Sequence, residues 1–239
     1  MKPVLFAGPT LHGASMCSKF EFDIRPPARC GDILKAVKRD ADQIGLIDGF
    51  FGDCRSVWHK EILFALSHGV QIFGAASMGA LRAAECDRYG MIGIGRIYTD
   101  FRHGRRTADA DVAVLHGPQE TGFVPLTLAL VDAEATIHCL EKSSAITADE
   151  ASAFYQAARQ LGFRRRTWDA LFAASGFTDT QARQIKVEFR EAFVSHKTQD
   201  AMALIDFMAN SGYNNCQLSN LLTPARTVYL ERLINALSD

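Results

Sequence analysis

The first half of the chain alternates between short apolar runs and amphipathic helical patterns, and this alternation restricts the fold more than any other feature. The apolar runs are typical of buried strands, and they read PVLFAG, KFEFDIR, QIGLIDG and VQIFGAA. A strand–helix–strand order requires crossover connections, which produce a largely parallel sheet. The sequence therefore predicts an α/β protein with a mostly parallel sheet and crossover helices in its N-terminal half.

The second half of the chain, from about Pro125, carries only helical patterns. Apolar residues recur there at helical spacing and predict core-facing stripes, which are Ile185, Phe189, Phe193 in one segment and Ala201, Leu204, Ile205, Met208 in another. A further helix is expected to begin at Thr223 and Pro224. We expect an α/β core domain over residues 1–124 and an all-helical region over residues 125–239. The Gly-rich span 90–121 is predicted to be a linker or a flap.

Composition excludes several classes of function. The 239 residues carry a formal net charge of -1, and this balance gives no general attraction to nucleic acid or to membranes. No apolar run approaches the length of a membrane span. The six cysteines form no CxxC pair, which favours a reduced, cytoplasmic protein. We expect no nucleic-acid partner, no membrane partner and no metal.

Two segments resemble cofactor-binding loops without completing them. Residues 8–15 have the spacing of a phosphate loop, but Ala14 replaces the essential lysine. The segment GIGRIY lacks the third glycine of a dinucleotide-binding loop. The sequence therefore predicts no bound cofactor.

The segment that favours catalysis lies between the last predicted strand and the helix MGALRAAE. Residues 75–79, AASMG, match the nucleophile-elbow pattern G-x-S-x-G with alanine at the first position, and Ser77 is the central serine. Small residues allow a strand to turn directly into a helix, and the Met78 N–H would be the natural oxyanion donor. Ser77 could equally serve only as the helix cap, because serine is a preferred N-cap residue.

A serine nucleophile needs a base. Several histidines follow Ser77, but no local pattern selects one of them. Lys60 lies in the helix before the Ser77 strand, and the apolar neighbours Trp58, Ile62 and Leu63 are expected to bury part of its side chain. A solvated lysine that pairs with an acidic neighbour remains the alternative.

Four other polar residues lie near these two in the predicted fold. Arg82 could bind a carboxylate or an oxyanion, and Glu85 could orient Lys60 or His59. Asp48 ends a strand, where an acid can hold a metal or a base, or simply begin a turn. Each of the helical residues could equally be an ordinary surface charge.

Several uncommon strings occur together over residues 3–125, and they are VLFAGPTL, RPPARCGDILKAV, IGLIDGFFGD, VWHKEIL, GAASMGALRAAE and YGMIGIGRIY. In this order they resemble the core of the TfuA-like proteins. The resemblance implies an accessory protein for peptide backbone thioamidation, whose partner is a YcaO-type ATP-dependent enzyme that acts on the peptide substrate. It also implies that the protein hydrolyses the thiocarboxylate of a ThiS-like sulfur carrier with a Ser-Lys pair.

Carried onto this sequence, the resemblance implies Ser77 as the nucleophile and Lys60 as the base. Met78, Arg82, Glu85, His59 and Asp48 are expected to support them. Two alternatives stay open: a non-catalytic adaptor that docks YcaO and the sulfur carrier, and a hydrolase of an unrelated small acyl substrate.

Overall fold

The computed structural model describes residues 2–15, 21–52, 54–177, 179–210 and 227–236. The chain divides into two compact units, of which unit 1 joins Met1–Thr107 to Thr198–Asp239 and unit 2 is Ala108–Lys197. The chain returns to unit 1 at its C-terminal end, and the domain boundary after residue 124 stays a prediction.

Unit 1 contains a five-stranded sheet in which every neighbouring pair of strands is parallel. The strands are β1 Val4–Phe6, β2 Asp23–Arg25, β3 Gln43–Leu46, β4 Gln71–Gly74 and β5 Ile92–Gly93. Their order is β2-β1-β3-β4-β5, so the strand order reverses between β1 and β3. The predicted α/β class and parallel sheet are confirmed, and β5 occupies part of the span that was expected to be a linker or a flap.

The helices follow the predicted alternation, and after β5 the described residues form further helices and no further strand. They are α1 Asp32–Lys38, α2 His59–Ser67, α3 Met78–Cys86, α4 Arg96–Arg102, α5 Leu130–Lys142, α6 Ala148–Gln160, α7 Trp168–Ala174, α8 Asp179–Glu191, α9 His196–Asn210 and α10 Val228–Ala236. The helical C-terminal half is therefore confirmed. In the described ranges, no helix is both long enough and apolar enough to cross a bilayer.

Two apolar clusters form the core of unit 1. One cluster contains residues of β1, β3 and β4 together with buried residues of α1, α2 and α3. In the other, the predicted stripe of α9 packs against Leu5, Ile47 and Phe73. The stripe is thus a core surface, as expected. The predicted start at Thr223 and Pro224 lies outside the described residues.

Unit 2 has a core rich in aromatic rings. The Phe154 ring lies 4.8–5.3 Å from the ring centroids of Phe172, Phe177 and Phe189. Phe189 is fully buried and Ile185 packs against the cluster, whereas Phe193 is 46% exposed. The predicted stripe therefore supplies core contacts at two of its three positions.

Helix α1 begins after a glycine and helix α2 after a tryptophan. Gly31, at a φ of 95°, precedes the first residue of α1. Trp58 precedes α2, and its N–H donates to the Glu61 carboxylate at 3.1 Å. A carboxylate from the first turn thus satisfies the backbone N–H that precedes α2.

Candidate active site

Ser77 lies on a strained turn between β4 and α3. Its N–H donates to the Ala75 carbonyl at 2.8 Å, which closes a three-residue turn centred on Ala76. Ala76 has a φ of 65°, a conformation that residues with a Cβ rarely adopt. Such a backbone costs about 1–3 kcal/mol and persists only where the surrounding structure enforces it. The strain supports the elbow interpretation of this segment.

Two glycines make this turn possible. A Cβ at Gly79 would lie 1.7 Å from the Leu46 carbonyl oxygen, and one at Gly74 would lie 2.2 Å from the Gly79 oxygen. The Gly79 N–H also donates to the Ile47 carbonyl at 3.2 Å. The first turn of α3 is therefore held directly against the end of β3. Gly74 lies three residues before Ser77, whereas the first glycine of the pattern G-x-S-x-G lies two residues before the serine.

Two backbone N–H groups near the turn remain available to a ligand. In the part of the chain that the structure describes, neither the Met78 N–H nor the Gly49 N–H has an acceptor. The Ala28 N–H donates to the Asp48 carbonyl, and the Phe50 N–H donates to the Ala28 carbonyl. Because successive residues of an extended backbone face opposite sides, the Gly49 N–H points away from Ala28. A Cβ at Gly49 would lie 2.8 Å from the Met78 Cγ, which places the two residues in contact.

The Ser77 side chain is nearly inaccessible, with 2% of the residue exposed. It accepts no capping hydrogen bond from α3, although Ser77 is the N-cap residue of that helix. The structure therefore gives no support to the alternative that the serine is there as a side-chain cap.

Lys60 is the second residue of α2 and is partly buried. The start of α2 lies along the second half of α3, because Arg82 Nε donates to the Val57 carbonyl at 2.8 Å and His59 Nε2 lies 2.7 Å from Glu85 Oε2. At 1.5 Å per residue, Glu85 is about 12 Å from Ser77 along the helix. Lys60 can act on Ser77 only if its side chain extends toward the first turn of α3, and its role as base stays a prediction.

Arg82, Glu85 and His59 form one hydrogen-bonded group. Arg82 Nη1 donates to Glu85 Oε2 at 2.6 Å, and Nη2 lies 3.4 Å from Ser56 Oγ. Burial raises the pKa of Glu85, but the His59 hydrogen bond and the Arg82 charge outweigh it, so the pKa lies below its usual value. The group ties the segment before α2 to α3. His59 and Glu85 are thus in contact, whereas their supporting role at Ser77 and an oxyanion contact of Arg82 stay predictions.

Asp48 organises the loop that follows β1. Its carboxylate accepts hydrogen bonds from the N–H groups of Gly8 and Thr10 at 2.9 and 3.0 Å and from Thr10 Oγ1 at 2.5 Å. This places Asp48 at the reversal of strand order between β1 and β3, the position where parallel sheets commonly bind ligands. Among the described residues, no group of three or more His, Cys, Asp or Glu side chains could hold a metal ion.

Glu61 has a part in unit 1 that sequence reasoning missed. Its fully buried carboxylate accepts the Gly31 N–H at 2.7 Å in addition to that of Trp58. Burial raises the pKa of Glu61 to about 7. The signal that could have identified it is a glutamate in the first turn of a predicted helix, which commonly reaches back to the N-cap.

Comparison with known proteins assigns the family. The family model described as TfuA-like protein matches residues 48–167, which is half of the chain and includes the complete turn around Ser77. The search of curated proteins found no match. The matched segment begins at Asp48 and contains Lys60, so it covers all the predicted site residues. The chain therefore belongs to the TfuA-like proteins, the accessory proteins of thioamidation that are associated with YcaO enzymes.

Proposed function

We propose that this protein hydrolyses the C-terminal thiocarboxylate of a ThiS-like sulfur carrier and so supplies sulfide to a partner YcaO enzyme, which modifies the peptide substrate. The observation that carries the proposal is the turn at Ser77. There a serine hydroxyl at the end of a parallel strand lies beside the Met78 N–H, which has no acceptor in the described part of the chain. Membership of the TfuA-like family supports the same reaction class.

The chemistry begins with transfer of the Ser77 proton to Lys60 in its neutral form. The Ser77 oxygen attacks the thiocarboxylate carbon, and negative charge builds on the carbonyl oxygen. The N–H groups of Met78 and Gly49 stabilise that charge. As the C–S bond breaks, Lys60 returns the proton to sulfur, and hydrosulfide leaves.

The acyl-serine is then hydrolysed. Lys60 accepts a proton from water, which attacks the carbonyl carbon. As the C–O bond to Ser77 breaks, Lys60 returns this proton to Ser77 Oγ, and the carrier leaves as a carboxylic acid that ionises to a carboxylate. Loss of one backbone donor at a comparable site lowers the rate by about 10²–10³-fold. Removal of the nucleophile is expected to cost at least as much.

The small residues around the turn suit a narrow substrate. Gly49, Ala75, Ala76 and Gly79 leave little side-chain volume next to Ser77. A slender, glycine-rich carrier tail is the type of substrate that can bring its terminal carbon close to the backbone of such a turn. A bulky acyl group would require a wider space beside this turn.

A non-catalytic adaptor is the second candidate, and the low exposure of Ser77 favours it. At 2% exposure, the hydroxyl can meet a carrier tail only if the residues that cover it move. An adaptor would need no such movement, because Ser77 would contribute only to packing and the docking surface would lie elsewhere.

The direct test is release of sulfide from a thiocarboxylated ThiS-like carrier, measured without YcaO. We expect Ser77→Ala and Lys60→Ala to lower the rate at least about 10²-fold. Ser67→Ala is the matched control, since Ser67 Oγ contacts the Phe64 carbonyl at 2.7 Å and Nδ1 of the adjacent His68 at 3.3 Å, both at the C-terminal end of α2. It should retain the rate of the unmodified protein.

Accessibility can be tested independently with a sulfonyl fluoride that labels nucleophilic serines. Intact-mass analysis should show one adduct on the native protein and none on Ser77→Ala. A folded Ser77→Ala variant that releases sulfide at the native rate excludes the serine nucleophile. If the native protein releases no sulfide yet binds both the carrier and YcaO, the adaptor is the correct interpretation.

A further inference from the structure

A cavity of about 350 Å³ lies between the edge strand β2 and helix α1 in unit 1. Its charged lining consists of four basic side chains, Arg25, Arg29, Lys35 and Arg39, and one acidic side chain, Asp32. Phe6 and a pair of prolines supply an apolar wall. None of these residues belongs to the turn around Ser77 or to the donors proposed for the hydrolytic site.

Two of the four basic groups are already neutralised. Arg25 lies 2.7 Å from Asp23, and Lys35 lies 3.0 Å from Asp32. Arg29 and Arg39 form no ion pair with any residue that the structure describes. The Arg29 guanidinium carbon lies over the Phe50 ring, 4.6 Å from the ring centroid. This cation–π contact restrains the side chain and leaves guanidinium N–H groups available to a ligand.

The charge and the size of the cavity define the class of ligand. With Arg25 paired to Asp23 and Lys35 to Asp32, the two charges of Arg29 and Arg39 are left unbalanced. Two positive charges exceed what one carboxylate can balance, whereas a phosphate ester carries about −1.5 to −2 at neutral pH and a diphosphate offers one phosphate group to each arginine. Arginine pairs with phosphate oxygens through two parallel N–H groups. A volume of about 350 Å³ lies at the lower end of the roughly 300–1,000 Å³ of small-molecule pockets.

We propose that this cavity binds a small molecule that carries a diphosphate group, held mainly by Arg29 and Arg39. The apolar wall formed by Phe6 accommodates the organic part where the ligand has one. Arg25 and Lys35 line the cavity while they remain paired with Asp23 and Asp32. This inference does not depend on the proposed hydrolysis.

The test is isothermal titration of the full-length protein with two probes, inorganic pyrophosphate and ADP. Both probes should bind, and the double variant Arg29→Gln/Arg39→Gln should weaken each by at least about tenfold. Both arginines are exposed at the surface, so the variant is expected to fold. Arg165→Gln is the matched control, an equally exposed arginine in unit 2, and should change affinity less than about twofold.

A variant with the opposite effect strengthens the test. Asp32→Asn removes the one acidic group of the lining while it keeps an oxygen for the Arg29 N–H, which donates to Asp32 Oδ2 at 3.0 Å. It should tighten binding of both probes severalfold. Weaker binding in Asp32→Asn would contradict the electrostatic basis of the site.

The two probes distinguish the source of the diphosphate. Equal affinities support recognition of the diphosphate alone, and markedly tighter binding of ADP supports an organic diphosphate. Absence of binding by either probe up to about 1 mM overturns the proposal. So does an affinity that the double variant leaves unchanged.

Discussion

A buried arginine in unit 2 and the buried turn at Ser77 in unit 1 use their hydrogen-bonding groups to different extents. In unit 2, the guanidinium of Arg166 is buried and donates to the carbonyls of Ala158 and Leu161 at 2.9 Å, with two further carbonyls at 3.3 Å. In unit 1, the turn at Ser77 buries a serine beside backbone N–H groups that have no acceptor in the described residues. Buried polar groups whose hydrogen bonds are all made stabilise a fold, whereas N–H groups without an acceptor at a strained turn are available to a substrate.

The buried carboxylates of both units accept hydrogen bonds, but they hold different kinds of segment. In unit 2, Asp132 accepts hydrogen bonds from the Lys197 N–H and from Ser195 Oγ, and burial nevertheless raises its pKa to about 6. In unit 1, Asp48 and Glu61 hold loops at the carboxyl edge of the sheet. The acids of unit 1 therefore position the segments around the candidate site, while the acid of unit 2 joins its own helices.

The largest expected effect tests the packing of unit 2. Phe154→Ala removes a fully buried ring that contacts three other rings, and it should lower the free energy of unfolding by about 3–5 kcal/mol. Urea denaturation followed by circular dichroism measures this loss. Phe193→Ala is the matched control, because its ring is 46% exposed, and it should cost less than about 1 kcal/mol. Equal losses for the two variants would show that the aromatic cluster does not stabilise unit 2 as described.

The next effect tests the backbone contacts of unit 1. Gly79→Ala places a Cβ 1.7 Å from the Leu46 carbonyl oxygen, and because both groups belong to the packed backbone, the loss should reach about 3 kcal/mol. Gly162→Ala is the matched control, since nothing lies within 4 Å of its added Cβ. Chemical denaturation of both variants compares them directly. A Gly79→Ala protein as stable as Gly162→Ala would mean that α3 can move away from β3.

The smallest effect depends on pH. The folded-state pKa of Glu61 is raised from 4.5 to about 7, so the folded state binds this proton more tightly than the unfolded state. Protonated Glu61 therefore stabilises the folded state, and this stabilisation is complete below pH 4.5 and is lost as the pH rises to 7. The loss in the free energy of unfolding is about 2–3 kcal/mol. Glu61→Gln should therefore gain stability relative to the native protein over this interval. Denaturation midpoints measured from pH 4.5 to 7.5 give the difference.

Glu120→Gln is the control for the pH experiment, because Glu120 is exposed in a surface turn. Its stability should follow that of the native protein at every pH. If Glu61→Gln also follows the native curve, Glu61 does not titrate in the folded protein between pH 4.5 and 7.

Much of the sheet could be predicted because its strands are short apolar runs with helices between them. The segments of β1, β3 and β4 were visible in this way, and so was the turn at Ser77, since small residues on both sides of a serine are typical of a strand that turns directly into a helix. The two-residue strand β5 was missed, because Ile92 and Gly93 are too few to form a pattern. The cationic cavity was also missed, because its residues come from β1, β2 and α1 and the arginines look like ordinary surface charges in the sequence.

The amino-acid sequence alone is sufficient for the parallel α/β class, the helical character of the second half, the family and the serine at the strand–helix turn. All four depend on local periodicity or on residue types that are adjacent in the chain. The folded structure was needed to find that α9 returns to the sheet, that Arg82 and Glu85 hold α2 against α3, and that the Gly49 N–H comes to lie beside Met78. Those contacts join residues that are distant in the chain, and their formation depends on how strands and helices pack together.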